Sequence, residues 1–166
     1  MKKLNDRLIT AVKEGREDFV QLLIEYGVDV NFKDRYDQTP LHLATQNRHE
    51  VIVQQLLKIS SIDVNLPDIF EQTPLCVAVQ NEHKAIVQQL LKMSNINVNL
   101  VNYRRQTPLY TAAENGHTAI VQQLLAISDI DVHLADDQEQ TPLSIAVQND
   151  HREIAKQLLK MSNINV

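Results

Sequence analysis

The histidines are the side chains in this sequence most suited to binding a metal or moving a proton. The chain has six, and four of them recur at intervals of 34 residues, at His49, His83, His117 and His151. Packed helices lie about 10 Å apart, whereas each ligand of a zinc ion lies about 2 Å from the metal. Neighbours in such a column are too far apart to share one ion. We expect their ring nitrogens to bond to loop backbone instead, and we predict no metal site.

The other side chains that catalysis could use are isolated. Cys76 is the only cysteine, so no disulfide forms within the chain, which suits a reducing compartment. The three glycines are dispersed and build no phosphate-binding loop. Asp136, Asp137 and Glu139 fall in a predicted turn. We expect them to be solvated there, without the burial that shifts the pKa of a catalytic acid or base. We therefore predict no catalytic residue, no cofactor and no enzyme activity.

The composition and charge exclude further classes of function. The net charge of −5 is opposite in sign to the basic balance of nucleic-acid-binding proteins. No apolar run reaches the length of a membrane span, and residues 1–15 lack the apolar core of a signal peptide. With 43% hydrophobic residues, the chain can bury a core. We expect a cytoplasmic protein that binds neither nucleic acid nor membrane.

Four copies of one motif organise the chain. The tetrapeptide QTPL begins at Gln38, Gln72, Gln106 and Gln140, again at intervals of 34 residues. A fixed period of this length is typical of a repeat array. Thr39 can cap a helix whose first residue is Pro40, and a second, more apolar helix follows His49. Residues 62–65 indicate a short extended arm that leads into a turn. Each unit is thus predicted to be helix, loop, helix and hairpin.

Three features together resemble the ankyrin-repeat family over almost the whole chain: TPLH at 39–42, the pair Gly116-His117, and unit endings in which LL is followed by DVN. The resemblance implies an all-α solenoid of stacked helix-loop-helix units with short β-hairpin arms. The period of 34 exceeds the family's usual 33. The family's glycine between the helices is replaced at three positions, Arg48, Glu82 and Asp150. If the backbone there has a positive φ, each replacement carries about 1 kcal/mol of strain.

We predict a single domain, 1–166, that the period divides into five units. These are a polar N-terminal capping repeat, three full repeats and an incomplete last repeat, at 1–37, 38–71, 72–105, 106–139 and 140–166. Paired leucines should form a continuous spine: Leu56, Leu57, Leu90, Leu91, Leu124 and Leu125. The outer face of the last repeat is weakly polar, so we expect either that the chain is part of a longer protein or that this face packs on something. We expect a monomer or weak self-association through this repeat.

The copies differ most at the hairpin tips. Side chains that packing dictates should recur, so we expect those that vary to face solvent or a partner. A first-helix column varies as well, with His42, Cys76, Tyr110 and Ser144. Tyr, Phe and Arg are enriched at protein interfaces. The predicted partner-binding residues are Arg35, Tyr36, Ile69, Phe70, Tyr103, Arg104, Tyr110, Asp137 and Gln138. In the alternative, Tyr36 and Phe70 only cover the seams between neighbouring tips.

In the ankyrin-repeat family, hairpin tips and the exposed side of the first helices line a concave groove that binds proteins. The resemblance therefore implies a protein-protein interaction module whose partner is another protein, within a regulator or within a bacterial effector delivered into host cytosol. The alternative is a structural spacer or targeting segment of a longer protein whose catalytic domain lies elsewhere. Asn31, Asn65 and Asn99 also resemble the asparagines that cytosolic hydroxylases modify in this family.

Overall fold

The structure is a computed structural model that describes residues 2–162. Those residues form ten α-helices and no β-strand. The helices are α1 (Lys2–Lys13), α2 (Glu17–Glu25), α3 (Pro40–Gln46), α4 (Glu50–Leu57), α5 (Pro74–Gln80), α6 (Lys84–Leu90), α7 (Pro108–Glu114), α8 (Thr118–Leu125), α9 (Pro142–Gln148) and α10 (Arg152–Ser162). The predicted all-α class is confirmed. Residues 163–166, where the last arm is predicted, lie outside the described residues.

The first helix of every QTPL unit begins where the sequence predicts. Thr39 has extended backbone, and its hydroxyl oxygen accepts a hydrogen bond from the backbone N–H of His42. The same cap recurs at Thr73, Thr107 and Thr141. A proline follows each threonine, in the position where its missing N–H would have had no partner within the helix. The cap therefore fixes where each tip ends and each helix starts.

The turn between the two helices of a repeat requires a left-handed residue. Gly15 and Gly116 have φ values of 68° and 73° there, a conformation that glycine adopts freely. The replacements share it, with φ of 57° at Arg48, 56° at Glu82 and 59° at Asp150. Because φ is positive at each of these three residues, each carries the expected backbone strain of about 1 kcal/mol.

The helices stack in two layers. Helices α1, α3, α5, α7 and α9 contact one another in that order, and α2, α4, α6, α8 and α10 form the second series. The first leucine of each predicted pair is fully buried, at Leu56, Leu90 and Leu124. The second leucine is only partly buried and packs against the core from outside, at Leu57, Leu91 and Leu125. The spine is thus a single column, because the next residue of a helix points about 100° away.

The predicted hairpin arms are tight turns without strands. In the first arm, Asp34 N–H donates to Gln38 O at 3.0 Å, and Asp37 N–H donates to Asp34 O at 3.0 Å. A backbone bond also joins neighbouring tips, as from Ile69 N–H to Tyr36 O at 3.2 Å. These bonds fix one turn and its neighbour but do not continue along the arm, so no β-ladder forms within residues 2–162.

Asparagine side chains bridge the repeats where the arms leave the second helices. Asn31 Nδ2 donates to Ser61 O at 2.8 Å, and Asn31 Oδ1 accepts from Asp63 N–H at 2.9 Å. Asn65 and Asn99 make the same pair of bonds to the repeats that follow them. Each amide therefore uses both of its ends to hold two neighbouring repeats together. The resemblance of these residues to hydroxylated asparagines stays a prediction.

The last repeat has one helix face that no other repeat covers. Val79 and Ala113 are completely buried beneath the repeat that follows them, whereas the equivalent Val147 is 61% exposed. Ser144 is exposed on the same helix, although Cys76 at the equivalent position is buried. Within the described residues, the stack thus ends on a face that is apolar at Val147.

Candidate partner-binding surface

The backbone of each tip is held by one short polar side chain that was not among the predicted site residues. Asp34 Oδ1 accepts from the backbone N–H groups of Tyr36 and Gln38 at 2.9 and 3.1 Å. The later tips have the same two bonds, accepted by Asp68, Asn102 and Asp136. Asp and Asn favour turns for this reason. Their recurrence at the 34-residue period is the sequence signal that could have identified them.

A left-handed residue completes each tip. The φ value is 56° at Asp37, 57° at Glu71, 60° at Arg105 and 61° at Glu139. None of these four residues is a glycine, so a search for glycine does not find them. A non-glycine residue with left-handed backbone conformation costs about 1 kcal/mol or more. The conformation persists where surrounding hydrogen bonds over-determine the backbone. The bonds within and between the tips do so here, and they fix the direction in which the tip side chains point.

Eight of the nine predicted partner-binding residues lie along these tips and are exposed. We call them the tip row: Arg35, Tyr36, Ile69, Phe70, Tyr103, Arg104, Asp137 and Gln138. Phe70 and Tyr103 are 52% and 56% exposed, and their ring centroids lie 6.2 Å apart with the planes tilted by 52°. Tilted arrangements at this distance are favourable for aromatic rings. Two adjacent tips therefore present a paired aromatic surface to solvent.

Arginines flank the aromatic residues of the tip row. The Arg35 guanidinium carbon lies 4.8 Å from the ring centroid of Tyr36, and that of Arg104 lies 5.4 Å from the ring of Tyr103. Both distances are within the range of cation–π attraction. Tyr36 is 45% exposed, so packing over the seam between neighbouring tips buries only part of its surface.

Tyr110 does not lie on this surface. The expectation that it is exposed is wrong, because only 2% of the residue is accessible. Its hydroxyl donates to Gln140 Oε1 at 3.3 Å. Burial, together with the neighbouring Asp136 carboxylate, raises the pKa of the Tyr110 hydroxyl far above its usual value. Tyr110 therefore joins the repeat at 106–139 to the repeat at 140–166 and does not face a partner.

The rest of the first-helix column explains this error. His42 is fully buried; its Nδ1 accepts from Thr39 N–H, and its Nε2 donates to Gln72 O at 2.9 Å. Cys76 is buried at the equivalent position, and burial raises the pKa of its thiol. Burial likewise lowers the pKa of His42. The column varies because each member contacts the next tip differently, so variation here does not mean exposure.

A groove floored by amides lies behind the tip row. In the second QTPL repeat, at 72–105, Gln72 Nε2 donates to Gln80 Oε1 at 2.8 Å. Gln38 with Gln46 and Gln140 with Gln148 form the same pair at 3.4 and 3.1 Å. A depression of about 330 Å³ opens there, with Gln80, Tyr103 and Glu114 in its lining. The surface thus combines an exposed aromatic edge with a polar floor, which suits polar polypeptide backbone beside apolar side chains.

The four histidines of the repeating column contact the preceding repeat. His83 Nδ1 lies 2.9 Å from Thr45 O, His151 Nε2 lies 3.1 Å from Glu114 O, and His49 Nε2 lies 3.5 Å from Lys13 O. The ring nitrogens do contact backbone carbonyls, but the prediction of loop backbone is wrong. The three carbonyls belong to the last turns of α1, α3 and α7 in the preceding repeat. His117 differs: its Nδ1 lies 3.9 Å from Glu82 Oε1, and its buried Nε2 has no hydrogen-bond partner.

Across residues 2–162, no three or more His, Cys, Asp or Glu side chains are grouped so as to hold a metal ion. None of the helices in that range combines the length and the apolar character needed to cross a membrane.

Helix pairs stacked in two layers, with tight turns joining each pair to the next, define a helical-repeat solenoid. A family model described as ankyrin repeats (3 copies) matches residues 8–102 and 75–166. The chain belongs to the ankyrin-repeat family. The resemblance carried by TPLH at 39–42 and by the pair Gly116-His117 is thereby confirmed.

Segments of the chain are similar to parts of much longer proteins. Rabankyrin-5 of Mus musculus is 45% identical over 47 residues, which is 28% of this chain and 4% of that protein. The ARF GTPase-activating protein Git of Drosophila melanogaster is 42% identical over 55 residues, or 33% of this chain and 8% of Git. The potassium channel SKOR of Arabidopsis thaliana is 39% identical over 54 residues, or 32% and 6%. Each match covers less than a tenth of the relative's length.

Proposed function

We propose that this chain is a protein-protein interaction module that binds another protein across the tip row and the groove behind it. The observation that carries the proposal is the pair of half-exposed rings at Phe70 and Tyr103, 6.2 Å apart on adjacent tips. Burying such rings against a partner removes a large apolar area from water. Ankyrin repeats are protein-interaction modules as a family, which supports the same assignment.

The neighbouring groups of the tip row support an interface with a defined orientation. Arg104 beside Tyr103 offers donors suited to a carboxylate or a carbonyl of the partner. Asp137, on the next tip, offers an acceptor. Bonds from Tyr103 N–H to Phe70 O and from Asp137 N–H to Arg104 O hold these tips in register. The surface is therefore organised before a partner arrives, which reduces the entropy lost on binding.

Affinity capture with the Phe70→Ala, Tyr103→Ala double variant tests the proposal. Proteins retained by the wild-type chain would be identified by mass spectrometry, and their dissociation constants would be measured for both chains. We expect the double variant to bind its main partner at least about 30-fold more weakly, the effect of losing one interface hot spot.

The control is Tyr26→Ala, which removes an aromatic residue that is 76% exposed and lies outside the tip row, at the end of α2. This variant should retain the same proteins with unchanged affinity. Retention that is identical for wild type and the double variant, or equally reduced by Tyr26→Ala, would refute binding through the tip row.

A second candidate is a structural spacer or targeting segment within a longer protein. The uncovered face at Val147 favours it, because its equivalents Val79 and Ala113 are buried by a following repeat. In this case the double variant and the wild type would capture the same proteins. The proposed binding module suits a regulator and a bacterial effector alike, and the buried thiol of Cys76 suits a reducing cytoplasm in either.

The face at Val147 also leads us to propose weak self-association through the last repeat. Sedimentation analysis over a range of concentrations should show reversible association of the wild-type chain, and Val147→Asp should abolish it by placing a charge on the apolar face. If both chains sediment as monomers throughout, this face does not associate.

A further inference from the structure

The third QTPL repeat, at 106–139, together with the tip that leads into it, breaks the pattern of amides along the groove. The residue that pairs with the QTPL glutamine is another glutamine in three repeats, at Gln46, Gln80 and Gln148, but it is Glu114 in the third. One more departure occurs in the same repeat, where the tip carries Asn102 in place of the aspartates at 34, 68 and 136. The third repeat has therefore lost a carboxylate at the base of its tip and gained one on the floor of the groove.

Within residues 2–162 the Glu114 carboxylate is unpaired, and the Gln106 side chain bonds to its own tip instead. Asn102 Nδ2 donates to Gln106 Oε1 at 3.1 Å, a bond that an aspartate could not make. This bond engages only the Gln106 Oε1 atom, and Gln106 Nε2 makes no hydrogen bond to Glu114. Among the described residues the Glu114 carboxylate has no hydrogen bond and no ion pair. Glu114 is also the last residue of α7, where the negative end of the helix dipole disfavours a carboxylate. A cation placed beside it would be stabilised by both effects.

Glu114 lies where two depressions of the groove meet. One, of about 330 Å³, extends towards Gln80 and Tyr103. The other, of about 510 Å³, extends towards Asp137 and Gln148. Both depressions have Glu114 and Arg104 in their linings. A chain segment that crosses from one depression to the other must therefore pass the free carboxylate.

The charges around the second depression favour a cation. Its lining contains three carboxylates, Glu114, Asp136 and Asp137, and one arginine, Arg104. Asp136 is already bonded to two backbone N–H groups of its own tip, and the Arg104 guanidinium lies beside the ring of Tyr103. The negative charge of Glu114 therefore stays available, and it would repel a phosphate-bearing ligand.

We propose that Glu114 binds a lysine or arginine side chain of the partner, carried on an extended segment that runs along the groove. The glutamine amides on either side supply donors and acceptors for the backbone of such a segment, which makes no hydrogen bonds of its own. An apolar side chain near the basic residue contacts Phe70 and Tyr103. The inference rests on the proposed function, since it names the chemistry of the partner at the same surface.

Selection from a random library of displayed ten-residue peptides tests this inference without a known partner. The baits are wild type, Glu114→Gln, Glu153→Gln and the Phe70→Ala, Tyr103→Ala double variant. Glu114→Gln restores the amide that the other repeats have, so it should fold as wild type does. Glu153→Gln makes the same charge change at an exposed position of α10. We expect wild type and Glu153→Gln to enrich peptides with a Lys or Arg at a fixed spacing from an apolar residue.

Synthetic peptides from that selection should bind Glu114→Gln at least about tenfold more weakly, the effect of losing one charge-assisted hydrogen bond. They should lose the same factor when their basic residue is replaced by norleucine, with no further loss on Glu114→Gln. If the enriched peptides lack a basic residue, or bind Glu114→Gln unchanged, the inference about Glu114 is refuted. The proposed function survives that result if the double variant loses those peptides. If no bait enriches any peptide, or if the double variant enriches the same peptides as wild type, the inference about Glu114 and the proposed function are both refuted.

Discussion

The interior of the stack and the tip row follow opposite rules in one repeating sequence. Leu56, Leu90 and Leu124 are identical in successive repeats and completely buried. Phe70 and Arg104 occupy equivalent positions in the tip row, yet they differ completely in chemistry and are both exposed. A buried side chain must fit the neighbours that surround it on all sides, whereas an exposed tip side chain contacts neighbouring tip residues on one side and solvent on the other. The difference separates the residues that stabilise the stack from those that we propose to bind a partner.

Between these regions lies a column that varies although it is buried. His42, Cys76 and Tyr110 each reach the next tip, through a ring nitrogen, a thiol and a hydroxyl respectively. The acceptors differ as well, since they are Gln72 O, Leu100 O and Gln140 Oε1. A position that varies between repeats therefore lies outside the regular packing of the core, but it is not necessarily exposed to solvent.

The largest expected effect comes from the interior. Leu90→Ala in the central repeat should lower the free energy of unfolding by about 2–5 kcal/mol, because it leaves a cavity in a fully packed site. Urea denaturation monitored by circular dichroism measures the change. Leu22→Ala, at a residue that is 54% exposed on α2, should lose less than about 1 kcal/mol. Equal losses for the two variants would contradict the single buried spine.

A smaller effect is expected at the bonds between repeats. Asn65→Ala should lower the free energy of unfolding by about 1–3 kcal/mol, since it leaves Asn95 O and Asn97 N–H without their side-chain partner. His133 occupies the equivalent position in the fourth arm and is exposed, so His133→Ala should change stability by less than about 0.5 kcal/mol. A neutral Asn65→Ala in denaturant titrations would show that the asparagine bridges do not hold the stack.

The buried variable column predicts a dependence on pH. Burial lowers the pKa of His42 in the folded chain, so below about pH 6.5 the unfolded chain takes up a proton that the folded chain resists. The contribution of His42 to stability is therefore complete above that pH and is lost as the pH falls towards the lowered folded pKa, by at most about 1.4 kcal/mol per pH unit.

The matched control for that pH dependence is His42→Cys, which installs the residue found at this position in the next repeat. Unfolding free energies measured from pH 7.5 to 5 should fall more steeply for wild type than for His42→Cys. Parallel curves for the two chains would mean that His42 accepts a proton in the folded state as readily as in the unfolded one.

The smallest effect concerns the loops, where the strain is local. Arg48→Gly should raise the free energy of unfolding by about 0.5–1 kcal/mol, because glycine removes the left-handed strain but makes the unfolded chain more flexible. Gly116→Ala should do the opposite, since an added Cβ would lie 2.7 Å from the ring of His151. Thermal melts compare the two variants. A less stable Arg48→Gly chain would show that this residue makes a favourable contact outweighing its backbone strain.

The regular parts of the fold could be predicted because each rests on a local residue with one physical role. Thr39 as a cap, Pro40 after it and the left-handed positions at Arg48, Glu82 and Asp150 all follow from backbone chemistry. The Asp and Asn column that builds the tips, beginning at Asp34, is equally local and was visible in the same period. Within residues 2–162 the arms lack strands because Asp34, and its counterpart in each later tip, closes the turn on itself. The extended pattern of residues 62–65 does not reveal this.

The candidate site was predicted where exposure follows from position in a turn, and wrongly where it depends on the next repeat. Tyr110 belongs to an exposed helix face only if nothing is stacked against that face, and the fourth tip covers it. Glu114 was missed because its significance arises from a bond between Asn102 and Gln106. That bond depends on side-chain geometry, which the spacing of residues along the chain does not contain.

The measurement that tests the separation of stability from recognition most directly is the unfolding free energy of the Phe70→Ala, Tyr103→Ala double variant. If the rings only meet each other and solvent, the double variant should lose no more than about 1.5 kcal/mol, the contribution of one aromatic pair. A loss of about 3 kcal/mol or more, as for a buried aromatic residue, would mean that these rings cover the seams between tips, and would contradict their assignment to the partner.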